Sequence, residues 1–201
     1  MMRDRLKLEV DYKEYLDSDI ENRLDGYYIG QQRIMTFDQK KIMKRYAEYV
    51  IDGKKDVRLL EVGYGLGVFA EEAEDIGTEE HVIIECHPII CTIAREKYAN
   101  QKHIKVFQGF WQNFNSEKCY NAIFYDSTVI GEDIDAVDEL LQFIEFARTN
   151  LLTEDGVMSF WYRGNKIDAR ILDFLQKKMI KFQIVLCEID KVHYLIIKLN
   201  G

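Results

Sequence analysis

A single proline, Pro88, punctuates the 201 residues of this chain, and no stretch is rich in serine and glycine together. Without such a stretch there is no flexible linker between domains, so one domain around one substantial core is expected. Nowhere does an apolar run reach the length of a bilayer span, and Met1-Met2-Arg3-Asp4-Arg5 leads into no apolar signal core. A cytoplasmic protein with no membrane partner is the expectation. Basic tracts are missing too: 27 lysines and arginines face 35 aspartates and glutamates, for a formal net charge of −8. That balance repels polyanions, which argues against a nucleic-acid partner and suits a small cationic substrate. The four cysteines (Cys86, Cys91, Cys119, Cys187) form no Cys-x-x-Cys pair and sit mostly in apolar runs, which reads as reduced, buried thiols. The four histidines show no metal-ligand spacing, so no metal is expected.

What the chain does carry is concentrated in Leu59-Leu60-Glu61-Val62-Gly63-Tyr64-Gly65-Leu66-Gly67 and, further on, His81-Val82-Ile83-Ile84-Glu85. An apolar strand runs into glycines at alternate positions, then a helix, then a second strand that ends on a carboxylate. Glycines there permit a tight turn and a close approach of ligand to backbone. The helix start presents unpaired N–H groups, and Glu85 lies at a spacing that sets an acid against ribose hydroxyls. Together these parts describe a nucleoside pocket. The dinucleotide fingerprint, however, wants its third glycine one position later, where Val68 stands. Glu61, entering the turn, would repel a pyrophosphate and favour a cationic amino-acid head. S-adenosyl-L-methionine has such a head, a sulfonium and no phosphate, and is the expected cofactor. The plainer alternative, a tight turn in some other α/β protein, leaves the agreement of strand, helix and acid without a reason.

From Val57 onward strands alternate with helices. Strands are expected at Val57–Val62, His81–Cys86, Ile104–Gln108, Tyr120–Tyr125 and Val157–Trp161, the last preceded by a turn at Thr153-Glu154-Asp155-Gly156. Helices are expected at Val68–Ile76, Ile89–Tyr98, Asp135–Leu151 and Ile167–Lys178. Phe182–Ile189 and Val192–Leu199 are close enough to form a hairpin around Asp190-Lys191, which forces one antiparallel strand into a mostly parallel sheet covered on both faces. A seven-stranded α/β sheet with one reversed strand is the Rossmann-like architecture of class I methyltransferases. Residues 51–201 would form that core. Residues 1–50, with an amphipathic helix near Asp38–Ile51 and a tyrosine-bearing arm (Tyr12, Tyr15, Tyr27, Tyr28), would form a helical lid of the same domain.

Leu60-Glu61-Val62-Gly63-Tyr64-Gly65, His81-Val82-Ile83-Ile84-Glu85-Cys86, Gly109-Phe110-Trp111-Gln112 and Ile123-Phe124-Tyr125-Asp126-Ser127-Thr128 resemble the guanidinoacetate N-methyltransferases and the related arginine N-methyltransferases that modify a guanidino group. The resemblance runs from about Arg33 to Trp161. The strand ends Ile-Ile-Glu-Cys and Phe-Tyr-Asp-Ser-Thr carry more selectivity than the glycine turn. It implies that Gly65, Leu66 and Gly67 line the methionine part of the cofactor and that Glu85 binds the ribose, with Glu61 and Gly63 also expected among the cofactor-binding residues. Cys86 and His87 would lie beside the adenine, with Phe110 and Trp111 flanking its ring. Core packing is the other reading of the two aromatics, and an exposed loop that of His87. Met35 and Met43 match family methionines near the cofactor, though helix packing also accounts for Met43.

Asp126 is the residue that the resemblance sets against both the cofactor's reacting end and the guanidino group of the substrate. A guanidinium is a poor nucleophile, because its lone pairs are delocalised and it is protonated at neutral pH. A carboxylate accepting two of its N–H bonds would orient it, localise electron density and offer a route for proton loss. The family's second carboxylate, in a Met-x-x-Trp-Glu stretch, is replaced here by Met35-Thr36-Phe37-Asp38-Gln39, with Gln39 in the glutamate's place. Asp38 could substitute as the second catalytic acid, or could be spent capping the helix that follows. Beyond Trp161 the resemblance fades; Arg163 and Asn165 could lie at the pocket mouth, where Arg163 could hold a substrate carboxylate. The expectation is an N-methyltransferase acting on a small guanidino or amino compound such as arginine or a derivative, as a monomer or homodimer. Methylation of a peptide or protein arginine, and a non-catalytic partner that keeps the fold, are the competing readings.

Overall fold

The computed structural model describes residues 12–36, 39–51, 53–116, 119–127, 130, 135–162 and 166–201. Its centre is a seven-stranded sheet: β4 (Arg58–Val62), β5 (Glu80–Glu85), β6 (Ile104–Gln108), β7 (Tyr120–Tyr125), β8 (Leu152–Phe160), β9 (Phe182–Ile189) and β10 (Val192–Asn200). Spatially the order is β6-β5-β4-β7-β8-β10-β9. β10 runs antiparallel to both neighbours, and the other pairings are parallel. The reversal is made by the two-residue turn Asp190-Lys191, whose φ values of 51° and 67° suit the right-handed twist of a tight hairpin.

Successive residues of the central strands point to opposite faces, and both faces are covered. Leu59, Ala122, Phe124 and Ile196 pack under helices α2 (Lys40–Ile51) and α3 (Val68–Ile76). Leu60, Ile123, Met158 and Ile197 pack under α5 (Ala136–Asn150) and α6 (Ala169–Lys177). Because neither face meets water, β4 and β7 are buried along nearly their whole length rather than at alternate residues. Helix α2 buries Ile42, Met43, Tyr46, Ala47 and Val50, the spacing of a single helical stripe, at roughly 1.5–3 kcal/mol for each large apolar side chain removed from water. Tyr46 also ties that helix to the sheet, its hydroxyl donating to the Leu195 carbonyl at 3.1 Å. Helix α4 (Pro88–Lys97) opens on the proline, whose missing N–H costs nothing in a first turn.

Three details depart from the sequence reading. Thr153–Gly156 is not a turn outside the sheet: β8 already pairs at Leu152, and the register jumps from Tyr120↔Leu152 to Ala122↔Val157, so these residues form a bulge within the strand. All four cysteines are free, but only Cys91 is buried and Cys119 is exposed. The third concerns the N-terminal arm. Residues 12–17 are helical, but β1 (Ile20–Arg23), β2 (Gly26–Ile29) and β3 (Gln32–Met35) then form a separate antiparallel meander ahead of α2, where a helical lid is expected. Four-residue strands show too little alternation to stand out. The Asp25-Gly26 pair that leaves the Leu24-Asp25 turn is the local signal that could have revealed them, and a Cβ on Gly26, the first residue of β2, would lie 2.0 Å from the Met35 carbonyl oxygen. The meander is anchored by Ile29, buried in one cluster with Tyr64, Ile83 and Ile90.

Candidate active site

In an open parallel sheet, ligands bind beyond the carboxyl ends of the strands where the strand order reverses. Here that point lies between β4 and β7, and a cleft of about 860 Å³, open mouth included, occupies it. Gly63 lets the two strand ends come together. Its φ is +85°, and a Cβ there would lie 2.1 Å from the Asp126 carbonyl oxygen, so any side chain would drive the ends apart. The Asp126 N–H in turn donates to the Val62 carbonyl at 2.8 Å, which fixes the start of the loop after β7.

Among the described residues, four carboxylates line the cleft: Glu61, Glu85, Asp126 and Glu139. No lysine, arginine or histidine is among its described lining residues. Glu85 ends β5 with both oxygens engaged by backbone: Oε2 accepts from Tyr64 N–H at 3.0 Å and Oε1 from His87 N–H at 2.8 Å. Each oxygen retains a lone pair for a hydroxyl. Glu61 is fully buried. Its Oε2 bonds His81 Nε2 at 2.8 Å, while its Oε1 has no partner among the described residues. Burial pushes the Glu61 carboxyl up, against the pull of His81. Asp126 makes no side-chain hydrogen bond among the described residues, and burial, aided by the Glu61 charge, pushes its carboxyl up to about 7. A carboxylate oxygen desolvated without a partner costs free energy that an incoming cation would recover. The cleft is therefore built for positive charge.

The other walls come from three places. From the arm, Tyr12, Tyr15, Met35 and Gln39 face the cleft, together with Met43 of α2. Gln39 Oε1 accepts from the Thr36 N–H at 3.2 Å, in the manner of a helix-start clamp. From the turn after β6, Phe110 and Trp111 line the cleft, with Tyr12 edge-on to Phe110 at 4.8 Å between centroids. From α5 comes Glu139, which the sequence reading missed. Its Oε1 accepts from Trp111 Nε1–H at 3.3 Å, its Oε2 is buried without a partner among the described residues, and burial pushes its carboxyl up. The only sequence signal was the need of a buried indole N–H for an acceptor, and nothing distinguishes Glu139 locally from Asp138 or Glu145.

Most of the expected site residues thus meet at one cleft: Met35, Gln39, Met43, Glu61, Gly63, Gly65, Glu85, Cys86, Phe110, Trp111 and Asp126. Three do not face it. Leu66 and Gly67 lie just behind, with Gly67 (φ 79°) held under the Tyr64 ring at the start of α3. His87 is buried rather than exposed. Its Nε2 bonds the Ser18 carbonyl at 3.0 Å and its ring meets Tyr15 edge-on, so it fastens the arm instead of bordering the cleft. Asp38, Arg163 and Asn165 lie outside the described residues.

The donor set fits S-adenosyl-L-methionine. A buried Glu61 oxygen without a partner among the described residues matches an ammonium, a strand-end acid held by two backbone N–H groups matches a ribose diol, and no cation among the described lining residues awaits a phosphate. A sheet of this order with this cleft at its switch point is that of a class I S-adenosylmethionine-dependent methyltransferase. Within that class the assignment narrows: residues 19–179 match the family model described as guanidinoacetate N-methyltransferase, and the chain belongs to that family. Protein arginine N-methyltransferase 2 of Aspergillus oryzae is 24% identical over 172 residues, which cover 84% of this chain and 41% of that protein. The chain therefore spans less than half the length of that curated relative. Among solved structures, N-methyltransferase NodS from Bradyrhizobium japonicum WM9, in complex with S-adenosyl-L-homocysteine, superposes with a TM-score of 0.67 at 13% identity, over 97% of this chain and 98% of that one. Magnesium protoporphyrin IX methyltransferase from Synechocystis PCC 6803, with S-adenosylmethionine bound, gives 0.62 at 11% identity over 99% and 94%. At such identities the shared property is the fold.

Proposed function

We propose that the protein transfers a methyl group to a guanidino or amino nitrogen of a small molecule such as arginine or a derivative. The observation that carries the reading is that Glu61, with Oε1 unpartnered among the described residues, and Asp126, with no side-chain hydrogen bond among them, face one cleft from the neighbouring ends of β4 and β7. When bound, S-adenosylmethionine supplies an electrophilic methyl on a sulfonium. Glu61 would hold its ammonium, Glu85 its ribose, and Cys86, Phe110 and Trp111 would border its adenine. Asp126 would take two N–H bonds of the acceptor and orient one nitrogen toward the methyl. As that nitrogen gains its new carbon it loses a proton, and the Asp126 carboxylate, raised to about 7, is well matched to receive it. Gln39 offers a neutral amide where the family resemblance places a second acid, so Asp126 would carry most of the orienting charge.

A small acceptor is favoured because the arm forms one wall of the cleft through Tyr12, Tyr15 and Met35. The relative named as a protein arginine N-methyltransferase supports a second reading, methylation of an arginine in a peptide or protein. Incubation with methyl-labelled cofactor and a panel of arginine, guanidinoacetate, agmatine, simple amines and arginine-containing peptides tests both. Label on a free guanidine or amine supports the first reading, and label on peptides alone supports the second. Label on none, with no calorimetric binding at millimolar S-adenosylmethionine, leaves a non-catalytic partner protein.

A further inference from the structure

Behind the cleft, Glu61 is one end of a line of hydrogen bonds that reaches the surface. His81, fully buried on β5, presents Nε2 to Glu61 Oε2 at 2.8 Å and Nδ1 to Glu74 Oε1 at 2.9 Å. Glu74, on α3, receives the Thr78 hydroxyl at 2.7 Å on the same oxygen and His103 Nε2 at 2.7 Å on the other. His103 is about a third exposed and brings the line to solvent.

With both carboxylates ionised, the two contacts require a proton on each ring nitrogen of His81. A neutral imidazole has one N–H and one lone pair, so between two carboxylates it could satisfy only one. The other contact would set a ring lone pair against a carboxylate oxygen in a site without water access, a repulsion that an imidazolium removes. The charged groups that face the ring are Glu61 from β4 and Glu74 from α3, and Glu85 on β5 acts on it through Glu61. Burial works against a charged ring, yet the hydrogen bonds from Glu61 and Glu74 leave its pKa above the ordinary value.

We infer that His81, kept as an imidazolium by Glu74, is a positioning residue that holds Glu61 ionised and occupies its Oε2, so that Oε1 stays free for the cofactor's ammonium. The inference rests on placing that ammonium at Glu61 and is independent of the acceptor. The geometry gives it a chemical rationale: without a buried cation beside it, a carboxylate in this position would take up a proton and lose its attraction for the ligand.

Calorimetry with two ligands tests it: S-adenosylhomocysteine, and 5′-methylthioadenosine, which keeps the nucleoside and sulfur but lacks the amino-acid end. In His81→Gln and in Glu74→Gln, affinity for S-adenosylhomocysteine is expected to fall about tenfold or more, the loss of one charge-assisted hydrogen bond, while that for methylthioadenosine stays within about twofold. Nitrogen-15 spectra should show both His81 ring nitrogens protonated at pH 8 in the wild type, and a neutral tautomer in Glu74→Gln. Equal losses for the two ligands, or a neutral His81 in the wild type, would overturn the proposal. Should His81→Gln fail to fold, Glu74→Gln and the spectrum decide alone. Glu61→Gln separates the two layers: unchanged S-adenosylhomocysteine affinity there means the ammonium binds elsewhere. A loss there with none in Glu74→Gln removes His81 from the positioning of Glu61.

Discussion

The two walls of the cleft are held in different ways. On the β4–β5 side each functional group is fixed by bonds that need no ligand: Glu85 by two backbone N–H groups, Glu61 by His81, and Gly63 by a spacing that admits no side chain. On the arm side the backbone is fastened by a bond from His87 to the Ser18 carbonyl, but the side chains Tyr12 and Met35 meet the cleft through packing contacts. Tyr12 leans on Phe110, the Met35 methyl lies 3.3 Å from where a Cβ on Gly65 would be, and the meander hangs on Ile29. The contrast teaches a division of labour. The wall that would hold the cofactor is prebuilt, whereas the wall nearer the acceptor is an attached layer whose side chains can change without cost to the sheet. Asp126 stands between them, with a backbone fixed to Val62 and a carboxylate left without a side-chain partner among the described residues.

The sharpest way to break that division is Asp126→Asn. Turnover should fall by about 10²–10⁴, the usual range for a lost general base, while S-adenosylhomocysteine affinity is kept. Unchanged turnover would remove Asp126 from the chemistry, and lost affinity would move it to the cofactor wall. Next in size is Glu85→Ala, expected to weaken cofactor binding by roughly 1.5–3 kcal/mol for each charge-assisted hydrogen bond lost. It should also lower the melting temperature, since the Tyr64 and His87 N–H groups would lose their acceptor. Equal cofactor affinity in the two proteins would mean that the ribose lies elsewhere.

The pH dependence of Asp126 sharpens the comparison further. With its carboxyl raised to about 7, kcat/KM for a guanidino acceptor should rise about tenfold per pH unit below that value and level off above it. The sign for stability is opposite. The folded state binds more protons than the unfolded one between the ordinary value of 3.8 and about 7, so the ligand-free protein loses stability as pH rises through that window. Asp126→Asn should flatten the slope and raise stability at pH 8 by about 1–2 kcal/mol, a discounted share of the roughly 1.4 kcal/mol carried by each pKa unit. Chemical denaturation at pH 5 and pH 8 checks it, and parallel curves for both proteins would show that Asp126 is already ionised in a wet site. The smallest effects belong to the arm. Tyr12→Ala should change the acceptor KM a fewfold and leave cofactor affinity and the sheet's stability within about 0.5–1 kcal/mol. A loss of cofactor affinity would merge the two walls into one.

Sequence pattern reached the central sheet, its reversed strand and the residues Gly63, Glu61 and Glu85, and the family resemblance added Asp126. All of these sit where an apolar strand ends on a glycine or an acid, a contrast visible within a few neighbouring residues. Other features were out of its reach. Glu139 looks like any acid on an amphipathic helix until Trp111 is packed against it. His87 reads as a loop residue until the Ser18 carbonyl arrives from a segment 69 positions away. The strands of the meander are too short to display a period and owe their place to Ile29 and the Gly26 contact with Met35.

By itself, then, the sequence determined the order of strands and helices, the tight turn after β4 and the acids at three strand ends, because these follow from local periodicity and from glycine's freedom at positive φ. Only the tertiary structure decided which acids share a cleft, which of their oxygens remain free, and which histidine is caught between two carboxylates. Those outcomes depend on burial and on pairs of groups far apart in the chain, where desolvation rather than residue type sets the charge.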